Sequence, residues 1–139
     1  MQSRVVLAAA LAASAAAVLM AATRAPVPAA PVSARGTITI TVSFDCDGKR
    51  SVDPWEAHAK PGDDIVWVLS DDSDAERIRI KAKKAEGWPL SGGGGPDAGK
   101  GSPGRAKIKG DAAKGRASYD IEARCGNEWK RIDPDIIID

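Results

Sequence analysis

The chain has 139 residues, with 20 basic and 19 acidic side chains and a formal net charge of +1. Residues 1–34 hold only two charges, Arg4 and Arg24, so residues 35–139 carry 18 basic against 19 acidic residues, a net charge of −1. A near-neutral domain of this size has room for one hydrophobic core. It has no global field with which to hold nucleic acid or a membrane surface.

The N-terminus reads as a secretory signal. Arg4 is a short basic region, residues 5–22 are an Ala-dominated apolar run, and small residues follow. Cleavage after Ala22 or as late as Ala34 fits the pattern. The run is also about long enough to span a bilayer as an uncleaved anchor, but Ala has much less transfer energy than Leu. No Cys follows the run to carry a lipid. Residues 23–35 are a Pro/Ala-rich tether, and residues 36–139 are the folded domain. The domain is expected in the periplasm or secreted, as a monomer with no stable membrane insertion after cleavage.

Residues 37–46 alternate polar and apolar with period two, which predicts a strand burying Ile38, Ile40, Val42, Phe44 and Cys46 on one face. Asp47-Gly48 is a turn signal. Residues 51–59 form a second strand with Asp53-Pro54 inside it, so this strand should sit at an edge or carry a bulge. Lys60-Pro61-Gly62-Asp63 turns the chain. Residues 64–69 are apolar on both faces, as in a central strand. Residues 70–74 form an acidic turn. Residues 77–83 alternate again, with Ile78, Ile80 and Ala82 inward and Arg77, Arg79, Lys81 and Lys83 outward.

Residues 91–104 contain seven Gly and two Pro. That composition predicts a flexible loop with no packed element. A short strand is expected at residues 107–109. Residues 117–125 form a long strand with Tyr119, Ile121, Ala123 and Cys125 inward. Gly126-Asn127 turns the chain into a last strand, residues 128–138, broken or bent at Asp133-Pro134. At most one helical turn fits, near residues 84–87. Strands and turns over about 100 residues predict an all-β fold, a small Greek-key β-sandwich.

Two cysteines, Cys46 and Cys125, lie in the exported part. An even count in an oxidising compartment favours a disulfide over two buried free thiols. Each begins a similar stretch: Cys46, a turn, Lys49-Arg50, Val52, Asp53-Pro54, and Cys125, a turn, Lys130-Arg131, Ile132, Asp133-Pro134. Two hairpins of like geometry would want like residues; chance in a short window gives the same pattern.

Other candidate sites are weak. His58 alternates with Glu56 and Lys60 and should face water, although a lone His can serve as a metal ligand or pH switch. Gly94-x-x-x-x-Gly99-Lys100 approaches a phosphate-binding loop but continues with Gly101 in place of Ser or Thr. Asp71, Asp72, Asp74 and Glu76 are dense enough to suggest calcium, without the spacing of a calcium loop. The four outward cations Arg77, Arg79, Lys81 and Lys83 are either a docking stripe for an anionic envelope polymer or an acidic partner, or the charged guard of an edge strand. Trp67 belongs in the core. Trp88 and Trp129 stand at loop or strand ends, where a ring stacks on sugar or peptide or packs under the Gly-rich loop. With one His, no Ser-His-Asp set can be assembled; neither a catalytic residue nor a cofactor is implied, and the chain reads as a non-enzyme.

Lys60-Pro61-Gly62-Asp63-Asp64-Ile65-Val66-Trp67, and residues 115–125 running into Cys125, resemble the third and penultimate strands of the cupredoxins. These are Greek-key sandwiches, immunoglobulin-like in architecture, that often carry one copper. The resemblance implies a β-sandwich over most of residues 36–139, with Cys125 where the copper thiolate would lie. The copper ligands do not carry over. A blue-copper centre needs two His, a Cys thiolate and usually an axial Met. Here both Met residues, Met1 and Met20, lie in the signal. Gly126, Asn127, Glu128 and Trp129 follow Cys125, and Asp74-Ala75-Glu76-Arg77-Ile78 stands where the first ligand His would be. The expected function is that of a copper-free cupredoxin-like module with a binding or structural role in the cell envelope. An atypical metal or electron-transfer site using His58, Cys125 and carboxylates is the alternative.

Overall fold

A computed structural model describes residues 35–139. The expected signal falls outside these residues, as does all of the tether except Arg35. The alternating segments become ten strands in two sheets: β1 (Thr37–Phe44), β2 (Arg50–Asp53), β3 (Glu56–Ala59), β4 (Asp64–Leu69), β5 (Arg77–Ala82), β6 (Asp97–Gly99), β7 (Gly104–Lys107), β8 (Gly115–Cys125), β9 (Glu128–Ile132) and β10 (Asp135–Ile138). One sheet runs β2-β1-β4-β7. The other runs β3-β10-β8-β5-β6, with β9 added to β8. Two neighbouring pairs, β1 with β4 and β3 with β10, are parallel; the other pairs are antiparallel. The chain crosses between the sheets at β2–β3, β3–β4, β4–β5, β6–β7 and β7–β8, as expected of an all-β sandwich of the cupredoxin and immunoglobulin kind.

The inward faces are those the period-two pattern assigns. Ile40, Val42 and Phe44 of β1, Ile78 and Ile80 of β5, and Tyr119, Ile121 and Ala123 of β8 are buried. Strand β4 lies between β1 and β7, and Ile65, Val66, Trp67 and Leu69 along it are buried. Trp67 at its centre donates its indole N–H to the Tyr119 hydroxyl at 3.1 Å, and the rings meet edge-on at 6.1 Å. This bond satisfies a donor that would otherwise be stranded in the core.

The turn before β4 is built from its own residues. Asp63 N–H donates to the Lys60 carbonyl, Pro61 holds the second position, and Gly62 takes φ +90° at the third. That is the pattern of a type II turn, whose third residue must accept positive φ. The Asp63 carboxylate then accepts the backbone N–H groups of Gly36 and Lys60 at 2.7 and 2.8 Å.

Three expectations need correction. The strand expected over residues 51–59 is two strands in different sheets: β2 lies beside β1 and β3 beside β10, with the Asp53-Pro54 step between them. Proline's missing N–H ends one ladder, and the chain crosses before the next begins. The last strand breaks at Asp133-Pro134 as expected, but both halves stay in one sheet on the same strand. Here β9 pairs with residues 121–125 of β8, and β10 with residues 115–118. Residues 91–104 do contain a packed element, strand β6, with Ala98 buried. Ile80 N–H donates to the Pro96 carbonyl at 3.0 Å, and a Cβ on Gly95 would collide with the Ile80 carbonyl. The glycines let backbone approach backbone, an arrangement that side-chain alternation cannot report. The strand expected at residues 107–109 starts and ends earlier, as β7.

Candidate functional site

Strand β8 runs the length of its sheet and carries candidate chemistry at both ends and along its outer face. At its C-terminal end Cys125 is bonded to Cys46, with Cα atoms 5.4 Å apart and a sequence separation of 79. The Cys46 backbone is held from several sides. Its N–H donates to Asp74 at 2.8 Å, and its carbonyl accepts Arg50 Nη2 at 3.1 Å and Lys130 Nζ at 2.6 Å. The Arg50 guanidinium also lies 5.0 Å from the centroid of the Phe44 ring. Arg50 and Lys130 come from the Lys-Arg pairs of the two similar stretches, so these stretches meet at one carbonyl. Their Asp-Pro steps lead into β3 and β10, which pair in parallel with Glu56 opposite Asp135. The two stretches are not used alike: Arg50 is the second residue of its Lys-Arg pair and Lys130 the first of its own, and the chain changes sheet at Asp53-Pro54 but not at Asp133-Pro134.

The copper ligand set fails at this end. The sulfur of Cys125 is consumed by Cys46. His58 lies at the level of Ile137 and Arg116, nine residues along β8 from Cys125. At the rise of a β-strand that is roughly 30 Å. Its Nδ1 instead meets the Asp139 carboxylate at 3.0 Å in an exposed pair. Among the described residues no group of three or more His, Cys, Asp or Glu side chains converges to hold a metal. In the acidic turn, Asp74 accepts Cys46 N–H while Asp72 accepts the hydroxyls of Ser43 and Ser70.

The basic stripe occupies the outer face of β5. Arg79 Nε donates to Glu122 at 2.7 Å, and Lys81 lies 3.5 Å from the same carboxylate. Lys83 meets Asp133 at 2.9 Å and Asp120 at 3.7 Å, and Arg77 meets Asp97 at 3.1 Å. The register sets Glu122 opposite Arg79 and Asp120 opposite Lys81, so an acidic row on β8 answers the basic row on β5. On the side away from β8, β6 covers β5 only over Arg77–Arg79, with one further bond from Ile80 N–H to the Pro96 carbonyl, so Lys81 and Lys83 lie past the paired part of that side.

Electrostatics on this face follow from the pairing. Desolvation alone would raise the Glu122 carboxyl, but the Arg79 hydrogen bond and the charges of Lys81 and Arg79 outweigh it and hold it below the usual range. The Lys83 hydrogen bond holds Asp133 low, and Lys83 is raised by the same contact. Beside these pairs the Arg79 guanidinium stacks on the Trp129 ring at 3.7 Å, and Trp129 is 51% exposed.

The N-terminal end of β8 holds a feature the sequence did not single out. Residues 83–88 and 116–118 border a half-open cavity of about 420 Å³, lined by Lys83, Lys84, Glu86, Trp88, Arg116 and Ser118 among others. Trp88 is buried, 4% exposed, and packs on Tyr119 with ring centroids 6.2 Å apart. Its indole N–H has no acceptor among the described residues. Arg116 is engaged by Glu56 and Asp135, and both interactions raise it, Glu56 first. Ser118 donates its hydroxyl to Asp135 at 2.5 Å. The signal was present in the sequence only as Lys83-Lys84 near a Trp; the partner wall comes from β8, which follows only after β6 and β7.

No family model matches the chain, and no curated protein matches it. Among solved structures, a purple cupredoxin from Nitrosopumilus maritimus is similar, with 12% identity over 73% of this chain and 99% of that one, at a TM-score of 0.49. Two amicyanin variants, one in a reduced Cu(I) form at pH 4 and one oxidised, show 15% identity over 74% of this chain and 82% of theirs, with TM-scores of 0.44. The likeness is distant and concerns the fold alone.

Proposed function

We propose that this chain is an exported, copper-free cupredoxin-like module that works in the cell envelope by contact and is not an enzyme. One observation carries the reading: the Cys125 sulfur, where the resemblance implies a copper thiolate, is bonded to Cys46, and the sole imidazole stands roughly 30 Å away along β8. A transition-metal centre needs several ligands within bonding distance of one point, and the same separation argues against the atypical His58–Cys125 site. Export is supported by the basic, apolar and small-residue order of the N-terminus. The test is metal analysis with a thiol count on protein isolated from the envelope. The expected result is no bound copper after dialysis and no reactive thiol without reductant. Stoichiometric copper with an intense thiolate absorption overturns the reading.

A second reading places docking of an anionic envelope polymer or acidic partner on the outer face of β5, β8 and β9. It is favoured by the exposed Trp129, and by Arg124 and Arg131. By register and alternation these two join the four stripe cations on that face, against the acids Asp97, Asp120, Glu122 and Asp133. Charge reversal at both Arg124 and Arg131 should release the protein from anionic envelope material; unchanged retention counts against this reading.

A further inference from the structure

We propose that the outer face of β5, β8 and β9 binds an acidic polysaccharide, with one sugar ring stacked on Trp129 and hydroxyls of the chain in the hollow beside Arg131. The proposal rests on the docking reading of this face and names the class of polymer it takes.

Trp129 is a ring held ready for stacking. It is half exposed, and the Arg79 guanidinium lies 3.7 Å from its ring centroid. Arg79 is itself fixed, since its Nε donates to Glu122 at 2.7 Å and Glu122 is nearly buried. The series Glu122, Arg79, Trp129 thus pins a large side chain with few rotatable bonds, so little freedom is lost when a ligand covers it. With Arg79 on one ring face, the other is left for a flat apolar partner. A sugar ring has such a face, built of C–H groups, with hydroxyls around its edge.

Hydroxyls need partners of both kinds, because each donates and accepts. The same face supplies them two residues further along β9, roughly 7 Å from Trp129. Here Lys81, Lys83, Arg131, Asp120, Glu122 and Asp133 line an open hollow of about 540 Å³, three cations and three carboxylates. The Asp120 side chain is mostly covered, yet the cations nearest to it stand off at 3.7 and 3.9 Å. Those separations exceed a hydrogen bond, so its carboxylate keeps acceptor capacity that a hydroxyl can use. A wall balanced in charge is poorly matched to a bare polyphosphate and well matched to a hydroxylated chain.

The preference for negative charge comes from the wider face. By register it carries six cations against four acids, although residues 35–139 as a whole are net negative. Arg124 stands directly opposite Trp129. Its Nε donates to the Gly126 carbonyl at 3.1 Å, and no carboxylate among the described residues engages its other nitrogens. A guanidinium fork beside a stacked ring suits a carboxylate carried on that ring, which it can hold through two parallel bonds. A uronic acid unit joins all three features: an apolar ring face, hydroxyls and a carboxylate. An acidic peptide offers the carboxylate without the hydroxylated ring. An anionic membrane would set Asp120, Glu122 and Asp133 against headgroups of their own sign.

The experiment is calorimetric titration of the exported protein with four probes: polygalacturonate, poly-L-glutamate, uncharged dextran and phosphatidylglycerol vesicles. The expected result is saturable binding of polygalacturonate, about tenfold tighter than that of any other probe. Trp129→Ala should weaken it about tenfold, the size of a hot-spot truncation, while Trp129→Phe, which keeps a ring, should lose much less. Trp129 is exposed, and thermal melts of both variants check that the fold is kept. Equal binding of poly-L-glutamate or of vesicles, or a Trp129→Ala variant that binds like the wild type, overturns the polysaccharide and leaves the docking reading standing. Equal binding of dextran overturns the acidic part of the proposal. Binding of none of the anionic probes sinks the proposal and the docking reading together.

Discussion

The two ends of β8 solve opposite problems with the same strand. At the C-terminal end the chemistry is closed: Cys125 is bonded to Cys46, the Cys46 carbonyl accepts two cations, and Asp74 takes its N–H. At the N-terminal end the chemistry is open: a half-open cavity, and a buried indole N–H without an acceptor among the described residues. In this sandwich the end that resembles a metal pole is structural, and the end with unspent hydrogen-bonding capacity lies at the opposite pole. Tyr119 ties the N-terminal end to the core, since it accepts from Trp67 and packs on Trp88.

The largest effect is expected from breaking the closed end. The Cys46–Cys125 bridge spans 79 residues, and in the chain-entropy model its loss removes about 4–5 kcal/mol. For a domain of this size that lowers the melting temperature by roughly 20–30 °C. Thermal unfolding of Cys46→Ser/Cys125→Ser beside the wild type, each with and without reductant, measures it. A melt that ignores both the substitution and the reductant would remove the structural role assigned to this end.

A smaller loss is expected from Tyr119→Phe, which strands the Trp67 indole N–H in the core. Leaving a buried donor unsatisfied costs about 1–3 kcal/mol, read by chemical denaturation. Burial pushes the Tyr119 phenol up, against the opposing hydrogen bond from Trp67, and the Asp135 charge pushes the same way as burial. Its ionisation therefore should not appear in an absorbance titration until well above the ordinary tyrosine range, unless the protein unfolds.

The smallest effect concerns the outer face between the two ends. Glu122 and Asp133 are held below the ordinary carboxylate range in the folded state. Groups depressed on folding contribute stability above their unfolded pKa, and that contribution is lost as pH falls through the folded value. Stability should therefore decline as pH drops below about 4, and Glu122→Gln should flatten that decline while changing little at pH 7 beyond a modest offset. Denaturant midpoints between pH 7 and pH 2.5 check this; an identical slope in the variant would show that the ion-pair row adds nothing.

The sequence by itself determined the inward faces of β1, β5 and β8, because alternation is a local property and one buried face demands it. It also determined the central place of β4, the turn at Gly62, the favoured bridge between the two cysteines, and the lack of a copper ligand set, since these depend on residue type and count. Only the tertiary structure decided where Asp53-Pro54 and Asp133-Pro134 send the chain, to the other sheet in the first case and to another stretch of β8 in the second, because a proline ends a ladder without saying which partner comes next. It decided that β6 forms from glycine backbone pairing against Ile80, and that the basic row of β5 is answered by acids about 40 residues away on β8. The cavity beside Trp88 was likewise hidden, since its walls meet only through the β5–β8 register. Pairing across strands is a relation between distant residues, and one strand's pattern carries no record of its neighbour.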